Sequence, residues 1–226
     1  MALYLIPIKL ALALCLSLFH QEQPPQTGTY KILVDDAQVG TERYEVTKTP
    51  AGYAVRSTTD FTADGVARKI VTTSEIANRR LSRYLVETTT RGRTQKYTVD
   101  FTGGRAKAVI ESGGRQTERV VGVSEDILPL DRNVWHHYGL LLASYDLQAR
   151  GKQQFRVFIP QAGLREFTAE VELKGKTSVK IGEEKKPGYR FVIDLADGFE
   201  VVAFTDEYKN MLLLEVPAQK TKVIAE

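Results

Sequence analysis

The sequence has one cysteine, one tryptophan and three histidines in 226 residues. Material for a disulfide framework, a thiolate metal cluster or histidine-rich chemistry is therefore scarce. A dominant charge of one sign is also missing. Lys and Arg total 31 against 28 Asp and Glu, a formal +3, far below what a surface neutralising many phosphates carries, so nucleic acid is not an expected partner. No apolar run reaches the roughly 18 to 20 residues that cross a bilayer core, because Lys9 divides the longest one. Catalytic signatures are absent as well. Neither Gly-x-Ser-x-Gly nor His-Glu-x-x-His occurs, and Gly175-Lys176-Thr177 fails as a phosphate loop because Glu170 stands where the first glycine belongs. These absences point away from an enzyme and leave no residue assigned as catalytic, as a metal ligand or to a cofactor.

What remains is an ordinary globular composition, 42% apolar and 26% charged, with a length that suits one domain. At the N-terminus, Leu10 to Phe19 is an apolar run behind Lys9, followed by polar and Pro-rich sequence. This is the pattern of a secretory signal peptide, placed at residues 1–23, and it predicts a periplasmic or secreted protein. Leu12-Ala13-Leu14-Cys15 partly matches a bacterial lipobox, with Leu14 where a small residue is required. If Cys15 is removed with the leader, the exported chain has no disulfide and depends on its core alone.

From Thr29 onward the period is two, the spacing that sends successive side chains to opposite faces of a sheet. Tyr30, Ile32 and Val34 share a face; Tyr44 and Val46 share another; Tyr53, Val55, Ser57 and Thr59 continue the alternation. Gly103-Gly104 and Gly113-Gly114 supply tight turns, and Asp197-Gly198 between alternating runs predicts a hairpin. The exception is residues 131–149, where Val134, Trp135, Tyr138, Leu141, Leu142, Tyr145 and Leu147 fall on one broad face at helical spacing. Asp131 or Asn133 can cap its start and Gly151 can end it. The domain at 24–226 thus reads as a first meander (29–122), a long helix (131–149) and a second meander (153–216). Twelve or thirteen strands are too many for a flat sheet, so it must curl. The fold class is mainly β, an antiparallel β-spiral or half-barrel with the helix packed in the concave face.

An opening strand Tyr30-Lys-Ile-Leu-Val, the Gly40-Thr-Glu-Arg-Tyr44 stretch, two meanders and a Trp-bearing helix behind a leader resemble the bacterial periplasmic β-spiral envelope-integrity proteins of unknown-function domain type. These in turn are similar to half-barrel lipoprotein carriers. The resemblance covers Thr29 to about Pro217 and transfers no active-site residues. It implies an exported envelope protein binding an apolar or amphiphilic ligand, a lipid or a lipoprotein segment, in a cleft beside the helix, with peripheral contact at the membrane. Trp135, Tyr138, Leu142 and Tyr145 are the candidate ligand-binding residues, since the mouths of rolled sheets commonly hold apolar ligands. Two alternatives stay open: a structural or protein-interaction module with a dry core, and a hydrolase using His136 or His137.

Those two histidines are adjacent, so on a helix they point about 100° apart and do not chelate one metal as an i, i+4 pair does. A place on the helix surface or at its cap is expected, the other reading being a site completed by strand carboxylates. Arg79, Arg80, Arg83, Arg91, Arg93, Arg105, Arg115 and Arg119 form the most basic stretch. They are expected to solvate a sheet face, or to form a rim for anionic head groups or an acidic partner.

Overall fold

The computed structural model describes residues 27–226 except 79, 196 and 197. The predicted leader, Cys15, His20, Arg79 and Asp197 lie outside the described residues. The first meander comprises β1 (Thr27–Val34), β2 (Ala37–Thr49), β3 (Gly52–Ala63), β4 (Val66–Ala77), β5 (Arg80–Thr90), β6 (Arg93–Thr102), β7 (Arg105–Ser112) and β8 (Arg115–Gly122). Then come β9 (Leu128–Pro129) and α1 (His136–Ala143). The second meander holds β10 (Lys152–Ile159), β11 (Arg165–Ile181), β12 (Glu184–Leu195), β13 (Phe199–Thr205), β14 (Met211–Val216) and β15 (Thr221–Ala225). All of these strands join one open sheet in the order β8-β7-β6-β5-β4-β3-β2-β1-β15-β14-β13-β12-β11-β10-β9. The protein is mainly β.

Two differences from the sequence reading concern strands. Residues 166–173 and 177–181, which Gly175 as a turn residue predicts to be two strands, are a single strand, because Gly175 (φ 132°) absorbs a register shift opposite Arg190 instead of reversing the chain. Secondly, the chain continues past 216 through a 3-10 turn at Pro217–Gln219 into β15. β15 pairs antiparallel with both β14 and β1, and so welds the two meanders together.

The helix is shorter than its pattern predicts. Asn133 takes a left-handed φ of 59° and breaks the turn before it. At the other end the Ser144 hydroxyl donates to the Leu140 carbonyl, and Asp146 accepts from the Gln148 N–H in a local turn. Nor is α1 amphipathic, since His136, His137, Tyr138, Leu140, Leu141 and Leu142 are all buried. A helix apolar on every side belongs inside. Its flanking segments touch strands far apart in the sheet: Glu42 of β2 bonds Trp135 and His136, Tyr84 of β5 meets His137, and Tyr145 packs on Phe191 of β12. Strands so distant in one sheet can reach one short helix only if the sheet wraps around it.

Candidate functional site

On the face of β2–β5 that meets α1, polar side chains stand where an apolar lining would be ordinary. Glu42 pairs across to Thr59, two residues further along β3 Ser57 pairs with Thr72, and two further along β4 Ser74 pairs with Tyr84. All six are buried. Because antiparallel strands place i and i+2 on one face, these residues make a diagonal stripe across four strands. The Ser57 and Thr72 hydroxyls share a hydrogen bond of 2.8 Å at its middle.

Each end of the stripe grips the helix segment. At one end the Glu42 carboxylate accepts the Trp135 N–H at 2.7 Å, the His136 N–H at 3.1 Å and the His136 Nδ1–H at 2.7 Å. An anion therefore occupies the N-terminus of α1, where free N–H groups and the helix dipole favour negative charge. The caps expected at Asp131 and Asn133 give way to this one: Trp135 is the N-cap residue and no side chain of its own caps the helix. The Tyr44 ring stacks on His136 and on Tyr30. At the other end Tyr84 donates to Asp131 Oδ2 at 3.3 Å and packs edge-on against His137. The Asp131 N–H donates to His137 Nδ1 at 3.0 Å. Burial raises the Asp131 carboxyl to about 7, against the pull of the Arg132 N–H and the Tyr84 hydroxyl. Burial, with the neighbouring His136, holds His137 well below the usual imidazole range.

Both histidines are thus interior, at 3% and 0% exposure, and not on a helix surface. Their ring centres are 4.4 Å apart. Among the described residues no three His, Cys, Asp or Glu side chains converge to hold a metal ion. Several buried atoms have no hydrogen-bond partner among the described residues: His136 Nε2, His137 Nε2, Thr59 Oγ1, Ser74 Oγ and Trp135 Nε1. One such atom costs about 1–3 kcal/mol.

Trp135, Tyr138, Leu142 and Tyr145 are brought together in one core with Tyr30, Phe191 and Leu214, none of the four more than 6% exposed. The two surface grooves described lie elsewhere. One of about 760 Å³ is lined by Phe61, Arg68, Lys69 and Arg91 at the β3–β4 and β5–β6 turns. The other, about 270 Å³, lies between Tyr97, Arg119 and Leu164. Sequence reasoning missed Glu42, Thr72, Ser74 and Tyr84 as parts of a site. The available signal was phase: Ser57 and Thr59 continue the inward-facing register of Val55 in a strand whose other face is already polar.

No family model matches the chain, and no curated protein matches it in sequence. Solved structures do. A β-barrel-like protein of the domain of unknown function DUF1849 from Brucella abortus superposes with a TM-score of 0.58 at 11% identity, covering 90% of this chain and 95% of that one. This chain shares the fold of a β-barrel-like domain. A DUF1089 family protein from Pseudomonas aeruginosa is similar over 79% of this chain and 90% of its own length, with a TM-score of 0.51 at 10% identity. No helix among the described residues is long and apolar enough to cross a membrane.

Proposed function

We propose that this chain is an exported, non-enzymatic cell-envelope protein, a half-barrel that works by pairing an extended segment of another envelope protein onto its free strand edge. The observation that carries this reading is β8. Among the described residues the sheet ends at β8 on one side and β9 on the other, and the two ends differ sharply. β9 is two residues long. β8 has eight residues, nearly all exposed on both faces, with Val120 at 60%. A strand bonded on one side only presents a row of unpaired N–H and C=O groups, the template used in strand addition. Arg115 and Arg119 stand four residues apart on one face of it and make no ion pair among the described residues. They favour a partner strand with acidic residues four apart on one face, because guanidinium forks match carboxylates. Export rests on the Leu10 to Phe19 run and its flanks.

The ligand-carrier reading and the hydrolase reading have less support, because the residues they require are sealed. The test is a photo-crosslinking side chain at Val120 of the exported protein in its host. A covalent adduct with another envelope protein, lost when Arg115 and Arg119 are both changed to Glu, is the expected result. An adduct with a second copy of this chain, or none at all, overturns the strand-pairing reading. A stoichiometric amphiphile in a solvent extract of the purified protein would instead move the function to the core around Trp135 and Leu142.

A further inference from the structure

We infer that the groove beside β8 is a specificity pocket, which takes an apolar side chain of the paired segment midway between two acidic ones; this rests on the strand-pairing reading above. Sheet register supplies the geometry. Tyr97 of β6 stands opposite Ile110 of β7, and Ile110 opposite Thr117 of β8, so the three form one row on the face turned toward the core. Arg119 lies on the same face opposite the buried Ala108, and Arg115 opposite Ser112. The row lines a groove of about 270 Å³, whose remaining wall includes Pro160 and Leu164 of the turn between β10 and β11. A strand added to β8 extends that row by one position. Its residue opposite Thr117 falls beside the groove, on the same face as its neighbours opposite Arg115 and Arg119, two residues to either side.

The lining selects what that residue is. Ile110, Pro160 and Leu164 give the groove apolar surface, and Arg119 is the one charged residue that lines it. An apolar side chain seated there removes apolar area from water, while a carboxylate two residues on meets the unpaired guanidinium. Clefts that take drug-sized ligands run about 300–1,000 Å³, so a groove of this volume suits a single side chain better than a whole lipid. The partner recognised is therefore an extended segment of the pattern acidic-x-apolar-x-acidic. In strand addition generally, main-chain bonds hold the segment and pockets on one face read its alternate side chains.

The test titrates the whole exported protein with two peptides and follows hydrogen exchange at the β8 amides. One is Thr-Glu-Thr-Leu-Thr-Glu-Thr; the other, Thr-Glu-Leu-Thr-Thr-Glu-Thr, has the same composition but turns its leucine to the opposite face. The first is expected to slow exchange along β8 and to bind roughly tenfold tighter, the factor that burying much of one leucine side chain supports. Thr117→Trp, at an exposed position, fills the groove and is expected to erase that preference while β8 still pairs. The wild-type comparison decides the matter even if that variant fails to fold. Equal affinities with β8 protected by both peptides, or a preference that survives Thr117→Trp, overturn the pocket and leave strand pairing standing. No protection of β8 by either peptide, or a second copy of this chain seated on it, overturns strand pairing and the pocket with it.

Discussion

Glu42 answers three donors of a segment that lies 93 and 94 residues away in the chain. Removing it leaves those donors buried and unmatched. Glu42→Ala is expected to cost at least about 3 kcal/mol, because each of the three buried donors loses its acceptor at about 1–3 kcal/mol. Glu42→Gln, which keeps a carbonyl oxygen for the backbone N–H groups, is expected to cost distinctly less; urea unfolding of both variants checks the order. Asp131 ties stability to pH. Its carboxyl is raised to about 7 in the folded chain, from an ordinary value of 3.8, so the fold holds a proton that the unfolded chain has released. Its contribution is complete below about pH 4 and is lost as pH rises through about 7. His137 acts in the opposite sense: the fold keeps it neutral, so stability falls as pH drops below about 6.5. Asp131→Asn is therefore expected to gain on wild type between pH 5 and pH 8 while leaving the acid-side decline in place, as measured by denaturation at each pH.

At the scale of the element, the alternation in β1 to β3 is legible because a period of two needs only sidedness, a local property of the sequence. The helix was over-read for a related reason. Leu147, Tyr145 and Trp135 satisfy helical spacing, but a segment buried on all sides has no polar face to mark where it ends; Asn133 ends it at one side through its positive φ, and the Ser144 and Asp146 side chains bond the backbone at the other. Gly175 misled in the same way, since one glycine serves equally for a turn or for a bulge inside β11. Close strand packing yields a sharper expectation. A Cβ on Gly188 of β12 would fall 1.7 Å from the Thr205 carbonyl oxygen of β13, whereas one on Gly122 of β8 would meet nothing within 4 Å. Gly188→Ala should therefore destabilise by at least about 1–3 kcal/mol as backbones are forced apart. Gly122→Ala should stay within about 0.5 kcal/mol of wild type, and thermal melts of the pair would show the contrast.

For the whole molecule the decisive element is β15, only five residues long, which lies between β1 and β14 and makes two meanders one sheet. Deleting residues 217–226 exposes the edges of both β1 and β14 next to the core around Tyr30, Leu214 and Val216. The truncated chain is expected to lose its single cooperative transition and to self-associate through the new edges, as followed by calorimetry and light scattering. The sequence alone determined the mainly β class, the hairpin turns and one helix near its middle. Each of these follows from neighbours a few residues apart. Tertiary structure alone decided that Glu42 would cap α1, that Ser57, Thr59, Thr72 and Ser74 would line up across neighbouring strands, and that β8 would be left as the long free edge. Those outcomes depend on strand register and on which distant strands meet when the sheet curls, and no local pattern of residues encodes that meeting.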